Sequence, residues 1–342
     1  VTMVTDETGY RDHKKYIFNS TVSAKIDLPW ITEGLSVDGY IAFDKVGEEH
    51  KDWLTPAFYY TWDETTDIYE KHKYARREYA SLSQEYLPTS SFTLNAKIMY
   101  KKTFASLHGV DAMVGFEQNE FKGHNFSGSR SNYLSTAIDQ LFAGSSDKQY
   151  INNGGSAYDQ ARRSLFGRLA YDYAGKYMAQ FNFRYDGSYI FASNKRWGFF
   201  PGISLGWRLS EEKFLKDNVS WLNSLKLRAS YGQQGNDNVG AFQYLLKYAM
   251  GRNYVFGGAD VEGIYQESLP NEAITWEVAK TYNLGLDGTL WDGKLGFEID
   301  LFQTRRSNIL TARNASIPQY TGLINLPNEN IGEVKNQGIE LQ

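Results

Sequence analysis

Five histidines are the first residues to test for metal or acid–base chemistry: His13, His50, His72, His108 and His124. None stands in an HExxH pattern or has a carboxylate at the spacing of a metal-ligand set, so no metal site is assigned. Asp63-Glu64 is an adjacent carboxylate pair. Nothing in the sequence holds two carboxyl groups at a separation suited to glycoside chemistry, and neighbouring loop carboxylates read as surface charge. No GxSxG elbow positions a serine nucleophile. The GQQGN run at 232–236 has neither the lysine nor the helix of a phosphate loop and reads as a strand end. There is no cysteine, which excludes disulfides, thiolate metal ligands and a thiol nucleophile. No catalytic residue and no cofactor site follow; the chain does not read as an enzyme.

The polar side chains that remain are charges inside alternating stretches. Arg168, Asp172, Arg184, Asp186, Lys226, Arg228, Glu277, Asp287, Glu298 and Asp300 all fall opposite an apolar face. Two origins fit such a pattern: a water-filled lumen that hydrates solute, or the outer face of a soluble sandwich. Aromatics in long connections are a second set. Tyr254, Phe256, Tyr265 and Tyr320 could stack on sugar rings, or could pack within their own loops.

The elements that must position these residues are strands. In 164–188, SLFGRLAYDYAGKYMAQFNFRYDGS, Leu165, Leu169, Tyr171 and Tyr173 share a face with Tyr177, Phe181, Phe183 and Tyr185. Both apolar sets are odd-numbered, so the loop between them must hold an odd number of residues. Ala174-Gly175-Lys176 fits, with Gly175 available for positive φ. Later the parity changes from even (Leu284, Leu286, Leu290) to odd (Leu295, Phe297, Ile299, Leu301), and Asp292-Gly293 is an even hairpin signal that sets Leu290 opposite Leu295. Other strands are read at 18–26, 35–44, 92–100, 104–118, 197–209, 225–231 and 333–342, with a short helix within 69–87 and a helical turn near 133–142.

Connections alternate in length. Short ones fall at 27–34, 101–103, 174–176, 209–223 and 291–294; long ones fall at 45–91, 119–163, 234–272 and 307–332. All long loops then lie on one rim, the layout of an outer-membrane barrel, and Tyr171, Tyr173 and Tyr177 flank a short turn where an interfacial girdle belongs. The net charge of −4, from 36 basic and 40 acidic residues, excludes a global nucleic-acid footprint. The mean hydropathy of −0.51 and the lack of any apolar run near 18 residues exclude a spanning helix but not spanning strands. The expected fold is all-β: part of an antiparallel up-and-down transmembrane barrel, roughly eleven strands in all, facing outer-membrane lipid. Ending within a strand, residues 1–342 read as a piece of a longer polypeptide.

Several stretches, in order, resemble the SusC/RagA-type TonB-dependent outer-membrane transporters: SLFGRLAYDYAGKY, FRYDGS, KRWGFFPGISLGWRLSEEKF, LNSLKLRASYGQQGN, LPNEAITWEVAKTYNLGLDGTLWDGKL and GEVKNQGIELQ. The resemblance covers 164–342 strongly and 1–163 by strand rhythm. It implies a 22-stranded barrel with a plug, importing oligosaccharides or peptides with a SusD-like surface lipoprotein and energised by TonB. On that reading 1–342 is one partial barrel domain, and the plug, the TonB box and the closing strands lie elsewhere. Tyr189-Ile190 stands where a serine-rich run is commoner, and Gly202 follows the proline. A soluble surface protein that binds glycans through loop aromatics is the alternative expectation.

Overall fold

Long β-branched and aromatic runs with period-2 alternation bury no common core of their own, so they persist only by pairing edge to edge. The computed structural model describes residues 8–73, 78–312 and 328–342. Among them run β1 (Gly9–Asp27), β2 (Leu35–Leu54), β3 (Phe58–Asp63), β4 (Ile68–Lys73), β5 (Ser81–Phe104) and β6 (His108–Ser131). After them come β7 (Ile151–Tyr173), β8 (Tyr177–Ser188), β9 (Trp197–Arg208), the one-turn α1 (Lys213–Lys216) and β10 (Leu222–Asn236). Next are β11 (Lys247–Met250), β12 (Tyr254–Phe256), β13 (Ala259–Val261), β14 (Ile264–Ser268), β15 (Glu277–Leu290), β16 (Leu295–Ala312) and β17 (Asn328–Leu341). Eleven of them form one sheet in the order β1-β2-β5-β6-β7-β8-β9-β10-β15-β16-β17. The pairs β3-β4, β11-β14 and β12-β13 are separate two-stranded ribbons. The only α-helix among the described residues is α1.

The chain divides into two compact units. One comprises 1–22, 41–93 and 119–160; the other comprises 23–40, 94–118 and 161–342.

In the second unit the register is the one the parities demand. Tyr173 stands opposite Tyr177, Leu169 opposite Phe181 and Leu165 opposite Tyr185. Ala174 and Gly175 take φ of 54° and 66°, and Lys176 N–H donates to the Tyr173 carbonyl at 2.9 Å. Leu290 stands opposite Leu295. Asp292 and Gly293 have φ of 54° and 84°, as a type I′ turn requires, and Lys294 N–H closes it on the Trp291 carbonyl. One row of paired residues runs Tyr171–Ala179–Leu205–Ala229–Leu284–Leu301–Ile339 across seven strands without a polar member. One residue along, the row is Asp172–Met178–Gly206–Arg228–Gly285–Asp300–Glu340, on the other face. Most of the apolar row stays open: Leu205 is 53% exposed and Leu284 47%. A soluble sandwich buries such a face under a second sheet, whereas these side chains stand open among the described residues.

Several boundaries differ from the sequence reading. β1 begins at Gly9, not Phe18, and β2 continues to Leu54. β5 and β6 take 24 residues each, absorbing much of what reads as loop at 45–91 and 119–163. The turn between them is not 101–103. It is 105–107, where Ala105 and Ser106 adopt φ of 48° and 58° with no glycine to announce it. Where a short helix is expected within 69–87 the described residues hold the end of β4 and the start of β5, 74–77 lying outside the described residues, and the helical turn near 133–142 is a 3-10 turn at Leu141–Ala143. The cause is common to all these strands. A membrane crossing needs only about 9–11 residues, and beyond it the ladder continues although the faces no longer alternate.

Each unit has a small core on its long-connection side. In the second, Ile190, Phe191, Phe200, Ile274 and Trp276 are buried together. Phe199 and Phe200 are sequence neighbours, so the pleat sends them to opposite faces: Phe199 is 54% exposed and Phe200 6%. The Phe200 ring lies against Gly198 and Gly235, and Trp276 meets it edge-on with centroids 5.3 Å apart. In the first unit Trp53, Ala80 and Leu82 are buried against Tyr133 and Leu141.

Gly235 is the tightest of these contacts, since a methyl there falls inside the Phe200 ring. Gly235→Ala should destabilise the folded protein by about 1–3 kcal/mol, read as a lower midpoint of heat-modifiable migration. Phe200→Leu in the same background should recover part of the loss; an unchanged midpoint for Gly235→Ala contradicts this packing.

Candidate functional site

The charged residues of the second unit sit on one face because each lies one position from an apolar neighbour on a pleated strand. Their strongest connection is a relay over three strands. Arg228 on β10 donates from Nε to Asp287 Oδ1 and Oδ2, both at 2.8 Å, and from Nη2 to Asp287 Oδ1 at 2.6 Å. Nη2 also donates to Asp300 Oδ2 on β16 at 3.0 Å. Gly285 stands between Arg228 and Asp300 in the row, and a Cβ there would lie 2.6 Å from both Arg228 Cζ and Asp300 Oδ1. The missing side chain is what lets one guanidinium reach over a whole strand to two carboxylates.

The other predicted charges form smaller groups. Arg168 Nη2 pairs with Asp111 Oδ2 on β6 at 2.7 Å. Arg184 forks onto Asp186, with contacts of 3.2 and 3.0 Å, donates to Ser164 Oγ at 3.0 Å, and lies 5.5 Å from the Phe166 ring centroid. Asp172 accepts from the Gly175 backbone N–H at 2.9 Å, so its carboxylate holds the turn. Glu277 pairs with Arg306 at 3.2 Å. Lys226 stands between Arg208 and Asp287 in the ladder, and Asp287 between Lys226 and Glu298. A cavity of about 460 Å³ opens on this face, lined by Lys102, Asp111, Asp172, Lys226 and Arg228 among others. The departure noted at Gly202 has a local reason: its hydrogen faces the Asn182 side-chain amide, 2.8 Å from where a Cβ would be.

Three of the four loop aromatics lie among the described residues, on two separate ribbons. Tyr254 and Phe256 are exposed on β12 with ring centroids 6.4 Å apart. Tyr265 belongs to the β11-β14 ribbon, where the Arg252 guanidinium covers its ring at 4.2 Å. Tyr320 lies outside the described residues. Among the described residues no group of three His, Asp or Glu side chains is placed to hold a metal ion.

Other groups carry no motif. Asp237 accepts from Arg162 Nε and from Ser188 Oγ, both at 2.7 Å, which ties the 237–276 connection to β7 and β8. Glu212 accepts from Tyr177 Oη at 2.6 Å and Trp207 Nε1 at 3.0 Å, which holds its carboxyl below the usual range and locks the short connection onto the tyrosine girdle. In the first unit Asp139 accepts from Lys51 Nζ at 2.7 Å and from the Tyr10 hydroxyl. These donors hold the Asp139 carboxyl down at about 2. Only pairing of β1 and β2 over their full lengths brings Tyr10 and Lys51 together, and that pairing lies where alternation is absent.

Over residues 5–342 the chain matches the family described as "TonB dependent receptor-like, beta-barrel". It is similar to TonB-dependent receptor P39 of Formosa agariphila, at 34% identity over 71% of this chain and 22% of the relative. With the TonB-dependent receptor SusC of Bacteroides thetaiotaomicron the identity is 32%, over 73% of this chain and 24% of the relative. The chain thus spans about a quarter of the length of the curated relatives it matches. Among solved structures, the RagAB peptide importer in its closed-closed state superposes with a TM-score of 0.79 over 97% of this chain and 34% of that one. At 19% identity that likeness speaks to fold alone.

Asp139 sets a pH test. Its folded value is depressed from an ordinary 3.8 to about 2, so its contribution is complete above that ordinary value and is lost as pH falls from 3.8 towards 2. Pepsin should cut the 132–150 connection slowly at pH 4 and rapidly near pH 2, and Asp139→Asn should be cut rapidly at both. Equal rates for the two proteins at pH 4 would dismiss the anchor.

Proposed function

The chain belongs to the TonB-dependent receptor-like β-barrel family, and from that premise we propose that it forms a wall segment of an outer-membrane importer for oligosaccharides or peptides. The observation that carries the reading is the pair of adjacent seven-strand rows, one apolar and open, the other carrying Asp172, Arg228, Asp300 and Glu340 with Arg228 and Asp300 ion-paired. In hydrocarbon every backbone group must be paired within the protein, and an antiparallel ladder does so strand by strand. The apolar row then meets lipid and the Arg228 row meets water.

On this proposal Arg168, Asp172, Arg184, Asp186, Lys226, Arg228, Glu277, Asp287, Glu298 and Asp300 face the lumen. There they hydrate the passage and contact a plug contributed by sequence outside residues 1–342. The mechanism of this segment is scaffolding. Ion pairs such as Arg228–Asp287–Asp300 partner charges on the inner surface, and no catalytic step is assigned to any side chain. The similarity to TonB-dependent receptors, SusC among them, supports TonB as energy source, acting through sequence outside residues 1–342, and the resemblance to SusC-type transporters implies a SusD-like lipoprotein as surface partner. The long connections, with Tyr254, Phe256 and Tyr265, form the surface that meets substrate and lid.

Residues 1–342 hold no cysteine, so an introduced thiol is the only one in this segment, and the parent protein serves as the background control. In the full-length protein in outer membranes, Arg184→Cys and Asp300→Cys should react with a water-soluble methanethiosulfonate. Leu169→Cys and Leu284→Cys should stay protected until detergent is added. The opposite pattern sinks the assignment of faces.

A further inference from the structure

The ribbon β3-β4 falls in a segment that reads from sequence as a loop with a short helix. Its register sets Trp62 opposite Tyr69 and Tyr60 opposite Lys71. The pleat therefore puts Phe58, Tyr60, Trp62 and Tyr69 on one face. The outer three are open: Tyr60 is 56% exposed, Trp62 52% and Tyr69 68%. Phe58, at the root, is half-buried and lies under the Lys71 ammonium, 3.8 Å from its ring centroid.

Phe58 also lines a cavity of about 630 Å³ in the same unit, together with Tyr10, Trp53, Thr55, Thr136 and Asp139. The aromatic face of the ribbon is thus continuous with a cavity that has aromatic walls and a carboxylate. Asp139 Oδ2 takes the Lys51 and Tyr10 donors, while Oδ1 makes a long contact of 3.5 Å with Gln140 Nε2. An ionised carboxylate oxygen has lone pairs for more than that. Lys51 balances the Asp139 charge, and the Lys71 ammonium lies over Phe58 at the cavity's edge, so the cavity offers an acceptor, ring faces and a cationic donor.

We propose that the β3-β4 ribbon and the cavity at its root form a binding track for an oligosaccharide. A pyranose ring has an apolar C–H face that lies flat on Tyr or Trp, and hydroxyls on its rim that donate to a carboxylate. Tyr and Trp present large, rigid faces with polar tips that stay wet. One sugar unit seats in the cavity, its hydroxyl on Asp139 Oδ1, and the following units lie along Tyr60 and Trp62. The track deepens the import reading by choosing between its two substrate classes, and rests on that reading only for what happens after binding.

The test uses the full-length protein purified in detergent, with calorimetric titration of maltohexaose, cellohexaose, laminarihexaose and xylohexaose, and of hexa-alanine as the peptide probe. At least one hexasaccharide should bind and hexa-alanine should not. Trp62→Ala should weaken that binding about tenfold, the size carried by one aromatic hot spot, and Tyr60→Ala with Trp62→Ala more. Trp62→Phe keeps a stacking face and should stay within about threefold of the parent. Heat-modifiable migration verifies that each variant is folded, and exposed positions are chosen so that the Trp53 core is untouched. Unchanged affinity in the double variant, binding of hexa-alanine alone, or no binding by any probe overturns the track. Uptake of the bound sugar by cells separates the two readings: binding without uptake defeats import and leaves the track, while uptake that ignores the ribbon variants defeats the track alone.

Discussion

A strand that crosses hydrocarbon meets no water that could satisfy its N–H and C=O groups, so the hydrogen-bonded ladder is the constraint from which everything else in this protein follows. Consecutive strands must pair with their sequence neighbours, and the eleven long strands do so in unbroken order. Pairing in turn fixes register, and register decides which side chains share a row. A slip by one residue on β10 would carry Arg228 into the row that holds Leu205 and Leu284 and leave Asp287 and Asp300 without their cation. Register is held by what such a slip would cost on both faces at once.

The polar face solves a second problem, since charges on a wall must be partnered to be tolerated near low-dielectric surroundings. Here they are partnered over strands more than along them. Arg168 reaches β6, and Arg228 reaches β15 and β16 over the gap at Gly285. The ion pairs therefore stitch the sheet sideways, parallel to the backbone bonds. The same use of missing side chains recurs at Gly202, which gives room to Asn182, and at Gly235, which gives room to Phe200.

On the long-connection side the chemistry changes character. The ladder goes on, as the 24-residue β5 and β6 show, but lipid no longer imposes a face, so apolar residues turn inward as readily as outward. Phe200 and Trp276 are buried among connection residues, and Trp53 takes the same role in the other unit. Asp237 and Asp139, each with two donors, tie connections to strands. These rims combine packed aromatic cores with anchored carboxylates, and they leave aromatic faces such as those of Tyr60 and Trp62 open to solution.

What the sequence by itself determined is the part where lipid imposes a period. The eleven strands of the main sheet, the three-residue turn at Gly175, the turn at Asp292-Gly293, the separation of Leu169 from Arg168, and the family resemblance of 164–342 are all legible there, because each alternate residue answers to a different solvent. Only the tertiary structure decided the rest. The strand character of 45–54, 119–131 and 151–163 carries no alternation; the turn at 105–107 has no glycine; Phe200 differs from Phe199 only by the pleat. Partners such as Asp111 for Arg168, or Tyr10 and Lys51 for Asp139, lie on other strands and become visible only once register is set. The reason is physical: a period reports the solvent on each face of one strand, whereas a pair of side chains reports the distance between two strands, which no single stretch of sequence contains.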